Sequence, residues 1–186
     1  ATLLLGNGGS GILVSSCSLS NRIGSALGPN YIGDNNYGIF VEYTTGTIVR
    51  ANYVGNNGTT AIPNRGSGIY LSTGCGLTRI GTILGIDGNV VSGNKGNGVF
   101  AEDAGPTILN NFIGVTRTGI PLSNNLHGIE GYDLDSALIA GNVVSANGQH
   151  GLNLISPRSC TLQGNFIGTD PAGAAAMGNS RAGIYV

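Results

Sequence analysis

Tryptophan is absent from this chain, lysine occurs once (Lys95), and charged residues make up only 9% of its 186 positions. The net charge is -1 and the eight basic residues are scattered, which excludes nucleic acid as a partner because phosphate neutralisation needs a basic face. No apolar run approaches the roughly 18 residues of a membrane span. A cationic start leading into an apolar stretch and a cleavage site is also missing, so any export signal is expected to have been removed. The three cysteines, Cys17, Cys75 and Cys160, lack CxxC or Cys/His spacing. That argues against a disulfide framework or zinc site and for small buried hydrophobes. Disorder is excluded despite the low charge, since 40% of the chain is hydrophobic and its apolar residues recur in short regular groups. Helices are excluded as well, because those apolar residues alternate rather than recur every three to four positions.

What the chain has in excess is glycine, 34 residues, placed in a repeat. A glycine followed by an aliphatic residue recurs at Gly11, Gly38, Gly68, Gly98, Gly128, Gly151 and Gly183. Four residues before each stands Asn7, Asp34, Asn64, Asn94, Asn124, Asn147 or Asn179. A second series, Asn followed by an apolar pair, falls at Asn30, Asn52, Asn89, Asn111, Asn142 and Asn165. The intervals from this second series to the next repeat glycine are 8, 16, 9, 17, 9 and 18 residues, so short and long coils alternate. The long coils add loops such as "VGNNGTTAIPN" and "IGTDPAGAAAMGN", and two short coils carry insertions around "NRIGSALGPN" and "RIGTILGIDGN".

A minimal period of 22 or 23 residues suits three short strands and three turns. The expectation is an all-β single domain over residues 1–186, a solenoid of about six coils arranged as three double coils (11–67, 68–127 and 128–182). Partial coils at 1–10 and 183–186 would leave uncapped ends. Ile12/Val14, Ile39/Val41, Ile69/Leu71, Val99/Ala101, Ile129, Leu152/Leu154 and Ile184/Val186 are expected inside. Val49, Ile108, Ile139 and Leu162 should line a second wall, and Ile32, Val54, Val91, Ile113, Val144 and Ile167 a third. Both asparagine series are expected to form ladders, each amide donating to one coil and accepting from the other.

The Asn-apolar-Ile-Gly strand, the Thr/Asp/Gly loop and the closing Gly-Ile strand resemble right-handed parallel β-helix repeats of the pectate-lyase-like superfold. That fold recurs in bacterial secreted and surface proteins and hosts enzymes, adhesins and tailspikes alike. The resemblance implies that acidic residues should be sought for catalysis or Ca²⁺ binding, and Glu102, Asp103, Glu130, Asp133 and Asp135 concentrate in one zone. The hydrolase pattern of Asn-Thr-Asp, paired Asp and His-Gly followed by Arg-Ile-Lys is absent. His127 and His150 each precede a repeat glycine and should stack. With Glu130 they are candidate ligands for a transition metal, or else simply a neutral pair.

Outward positions are more informative. Leu13, Phe40, Tyr70, Phe100, Glu130, Asn153 and Tyr185 follow the repeat glycines by two. Tyr31, Tyr53, Val90, Phe112, Val143 and Phe166 follow the second asparagines. Such aromatic stripes call for a cover: the long loops, a neighbouring subunit, the rest of a longer chain, or sugar rings. The leading expectation is a non-enzymatic, extracellular or cell-surface bacterial protein that assembles head to tail into a filament or belongs to an adhesin. Its junction would comprise Gly11, Ile12, Leu13, Val14 and Gly183, Ile184, Tyr185, Val186. The alternative is a β-helix that binds or degrades polysaccharide.

Overall fold

The structure is a computed structural model that describes residues 6–17, 21–25, 27–84 and 87–186. Residues 1–5 of the expected first partial coil lie outside the described residues.

Three parallel sheets run the length of the molecule. The first contains β1 (Ile12–Ser15), β4 (Ile39–Glu42), β7 (Ile69–Leu71), β10 (Val99–Glu102), β13 (Ile129–Tyr132), β16 (Leu152–Ile155) and β19 (Ile184–Tyr185). The second contains β2 (Arg22–Ile23), β5 (Ile48–Val49), β8 (Arg79–Gly81), β11 (Thr107–Leu109), β14 (Leu138–Ala140) and β17 (Thr161–Gln163). The third contains β3 (Tyr31–Ile32), β6 (Tyr53–Val54), β9 (Val90–Val91), β12 (Phe112–Ile113), β15 (Val143–Val144) and β18 (Phe166–Ile167). Each strand pairs with the one three places along the chain, which is the winding of a right-handed parallel β-helix.

Period-two alternation sends one residue in two to the interior. Ile39, Val41, Ile69, Leu71, Val99, Ile129 and Leu152 are wholly buried from the first sheet. Val49, Ile108 and Ile139 meet them from the second, and Val54, Val91, Ile113 and Val144 from the third. Ile184 and Val186, expected inside, are instead 44% and 74% exposed, because β19 has a neighbour on one side only. Ile23 and Ile80 belong to the second wall. The two insertions therefore follow these strands and do not contain them.

The repeat glycine has a steric cause. A Cβ on Gly98 would lie 2.6 Å from the Gly128 carbonyl oxygen and 2.6 Å from Cγ2 of Ile113, so a side chain there would force adjacent coils apart.

Both ladders form. In the second series, Nδ2 of Asn30, Asn52, Asn89, Asn111 and Asn142 donates to Oδ1 of the next member at 2.8–3.0 Å, ending on Asn165. The first series runs Asn7, Asn35, Asn64, Asn94, Asn124, Asn147, Asn179 at 2.8–3.2 Å. Asn35, not Asp34, is the second rung. Asp34 takes a left-handed turn (φ 61°), as Gly93 and Ala146 do at the equivalent place (φ 80° and 58°), and its Oδ2 accepts from the Gly6 N–H. The coil is one residue shorter between that rung and its glycine.

Candidate functional site

The outer face of the first sheet carries a concave groove of about 430 Å³ floored by aromatic rings. β4, β7 and β10 place Phe40, Tyr70 and Phe100 side by side in register. Phe40 stacks on Tyr70 at 4.8 Å, while Phe100 meets Tyr70 edge-on at 5.0 Å. Tyr37, which precedes repeat glycine Gly38, packs against both Phe40 and Tyr70 at 5.7 and 5.2 Å. Such offset and edge-on pairs satisfy the ring quadrupoles and fix the floor. The phenol of Tyr70 donates to Oε1 of Glu102 at 2.5 Å. Burial, followed by the Glu102 bond and charge, holds that phenol far above the usual tyrosine range, so it stays a donor.

Polar groups rim this floor. Arg65 and Lys95 each follow a ladder asparagine, lie one coil apart and are exposed. Neither is ion-paired among the described residues. At the other end Glu130 accepts from Nδ2 of Asn97 (2.7 Å) and of Asn153 (3.1 Å). Tyr37, Arg65, Lys95 and Asn97 were not foreseen as groove residues, whereas Asn153 was expected among the outward positions. Each of the four directly precedes a repeat glycine or directly follows a ladder asparagine, a regularity visible in the sequence although it does not give the side chain's direction.

The third-sheet stripe has a different fate. Tyr31 and Tyr53 stack at 5.1 Å, and the long loops fold back over the rest. Gly58 comes to the Tyr53 ring, Gly173 to the Phe166 ring, and the Arg117 guanidinium sits 5.2 Å from the Phe112 centroid. Small antiparallel bridges, Asn56 with Ala61, Val115 with Pro121 and Thr169 with Ala176, close those loops. The stripe is thus partly covered from within.

The acidic zone divides. Glu130 lines the groove and Glu102 stands behind it on Tyr70, each already accepting from neutral donors. Asp103 and Asp133 sit at the left-handed turn that ends a first-sheet strand (φ 46° and 47°), a place also taken by Ser16, Tyr43 and Ser156. Aspartate tolerates that conformation, which gives both a structural reason to be there. Asp135 Oδ1 accepts from the Ser136 hydroxyl. Among the described residues, no three His, Cys, Asp or Glu side chains are grouped to hold a metal ion.

His127 and His150 stack as expected, with ring centroids 5.3 Å apart and planes within 5°, and His150 stacks on Tyr185 at 5.0 Å. They continue a column that begins with Asn97. Asn97 Oδ1 accepts the His127 N–H (3.0 Å), His127 Nδ1 accepts the His150 N–H (3.3 Å), and His150 Nδ1 accepts the Ala182 N–H (3.1 Å). Each ring is thereby set as the tautomer protonated on Nε2, so its acceptor nitrogen is already in use. Burial lowers the His127 pKa, helped by His150 and Arg181 and opposed by Glu130, whose Oε1 is 3.9 Å from Nε2. Of the cysteines expected to be buried, Cys75 is, but Cys17 is exposed and Cys160 half-buried; they lie beside β1, β7 and β17, coils apart, and each thiol donates to a backbone carbonyl.

A crystal structure of a double mutant of the periplasmic alginate epimerase AlgG is similar to this chain. It superposes with a TM-score of 0.65 at 22% identity, covering 84% of this chain and 32% of that one, a likeness of fold. No curated protein matches. The family model for NosD, described as periplasmic copper-binding protein, matches residues 5–185. With almost its whole length matched, the chain belongs to the NosD family.

Proposed function

We propose that this β-helix binds a carboxylate-bearing polysaccharide in the first-sheet groove and works in the periplasm. The observation that carries the reading is the Tyr37–Tyr70–Phe100 floor, continued by Phe40 stacked on Tyr70, beside two cations, Arg65 and Lys95, that have no carboxylate partner among the described residues. The apolar face of a pyranose ring packs against an aromatic face, and uronic carboxylates complement cations one coil apart. Glu130 and Asn97 supply hydrogen-bonding groups for hydroxyls. The periplasmic setting is supported by the family description and by AlgG, which is a periplasmic alginate epimerase. No helix among the described residues is long and apolar enough to cross a membrane.

The family description also names copper, and the histidine stack does not fit it. A copper ion at Nε2 would have to displace the proton there while Nδ1 accepts a backbone N–H. Soft thiol donors lie coils apart. No copper step is therefore derived for these residues.

Affinity electrophoresis in gels cast with alginate, polygalacturonate or neutral dextran tests the reading. Retardation by the uronates is expected, with about tenfold weakening in Arg65→Gln plus Lys95→Gln and loss in Tyr70→Ala plus Phe100→Ala. Equal mobility in all gels would overturn it. Fragment analysis of incubated uronate separates binding from cleavage.

A further inference from the structure

Two loops leave the second sheet for the third at one corner of the β-helix, after β2 and after β8, with the short Arg50–Asn52 connection on the coil between. Both point aliphatic side chains at solvent. Leu27 is 101% exposed, Ile83 76% and Leu84 75%. The second of these loops is held to the neighbouring coils. Within the first, Gly28 N–H donates to the Ser25 carbonyl (3.3 Å). In the other loop, Asp87 Oδ2 pairs with Arg50 Nη1 (2.9 Å), and the Asp87 carbonyl accepts the Ala51 N–H (2.7 Å). The Thr82 carbonyl accepts from Asn110 Nδ2 (2.7 Å), and the Gly88 carbonyl from Arg117. A well-anchored loop that displays its aliphatic residues is unlike the long loops of the same protein, which fold back on aromatic rings.

The surroundings are cationic. Arg22 and Arg79 point outward from the second sheet, both exposed, and Arg117 joins them at the corner. Among the described residues the acid at this corner is Asp87, already spent on Arg50 and 4% exposed. Tyr31, 59% exposed, stands next to the first loop. Protruding aliphatic side chains, an interfacial tyrosine and arginines with no ion pair among the described residues are the parts of a peripheral bilayer anchor. A protein partner fits less well, since the three side chains that protrude among the described residues fall far short of the roughly 800 Å² per partner of a stable interface.

We propose that this corner docks on an anionic membrane surface, with Leu27, Ile83 and Leu84 entering the boundary between headgroups and acyl chains and Arg22 and Arg79 meeting lipid phosphates. The site lies on a different face from the polysaccharide groove, so either can fail without the other.

The lack of tryptophan gives a clean reporter. In a Leu84→Trp variant, emission should shift to the blue on adding phosphatidylglycerol/phosphatidylethanolamine vesicles and stay put with phosphatidylcholine alone. In vesicle flotation, Leu27→Ser, Ile83→Ser and Leu84→Ser together should reduce bound protein at least about tenfold. Arg22→Gln and Arg79→Gln should each reduce it about fivefold at low salt. All five positions are exposed, so thermal melts of the variants should match the parent. Unchanged emission with anionic vesicles would overturn the proposal. So would flotation that survives the serine variant, which would signal plain electrostatic adsorption. A blue shift without vesicles that grows with protein concentration, or with an added protein, would replace the lipid by a protein partner.

Discussion

Replacing Asn111 by alanine should be among the costliest single changes in this protein. The side chain is wholly buried in the middle of the second ladder. Its Oδ1 accepts both the backbone N–H and the Nδ2 of Asn89 (3.0 and 2.8 Å). Its Nδ2 donates to the carbonyls of Ile80 (2.9 Å) and Leu109 (3.1 Å) and to Oδ1 of Asn142 (3.0 Å). Truncation leaves the Asn89 N–H without a partner, while Asn89 Nδ2 keeps its bond to the Val49 carbonyl. One fully orphaned donor and several half-satisfied groups, at about 1–3 kcal/mol for each buried unpaired group, give a loss of about 3–5 kcal/mol. At this chain length that is a fall in Tm of roughly 6–20 °C. Urea unfolding and calorimetry measure both figures. Asn125→Ala, an exposed position next to ladder residue Asn124, serves as control and should stay within about 0.5 kcal/mol. Asn111→Asp keeps the acceptor and loses the donors in a buried site, which raises the carboxyl pKa. Its stability should therefore be best in acid and fall as pH rises through the raised value. A loss below about 1 kcal/mol in Asn111→Ala would refute the ladder as a source of stability.

Gly98→Ala should cost about 3 kcal/mol or more in denaturant unfolding, because its Cβ would meet the Gly128 carbonyl and Ile113 at 2.6 Å. His127 should make stability depend on pH. Burial depresses its folded pKa, so its contribution is present above the unfolded value near 6.5 and is lost as pH falls through the depressed one. Melting temperatures from pH 8 to pH 5 check this, and His127→Gln, which keeps an acceptor for the His150 N–H, should flatten the profile. Any copper uptake by the protein should be unchanged in His127→Gln plus His150→Gln, as read by metal analysis after gel filtration.

The architecture was legible because it is periodic. One glycine clash and two asparagine ladders recur on every coil, so each coil repeats the evidence. The error at Asp34 came from counting back from the glycine. The pattern Asn-apolar-apolar-Gly/Ser-x-Asn, shared by Asn30–Asn35, Asn89–Asn94 and Asn142–Asn147, would have found the rung. Ile23 and Ile80 were hidden for a similar reason, since each begins a segment whose insertion breaks the period. The groove was only half legible. Strand alternation gives Phe40, Tyr70 and Phe100, but the cations on its rim sit at turns, where no alternation rule says which way a side chain leaves. The histidines were aligned correctly as a stack, yet their chemistry depends on which nitrogen accepts a backbone N–H. That follows from the bond to the next coil and cannot be read from spacing.

The most direct test of the account is a comparison of uronate oligosaccharide binding to the parent protein and to Tyr70→Ala plus Phe100→Ala, followed by isothermal calorimetry with amide NMR. The account predicts saturable binding to the parent, with shifts confined to β4, β7, β10 and the Arg65 and Lys95 turns, and none to the variant. Saturable binding that is the same in both proteins, or shifts centred on another face, would contradict it.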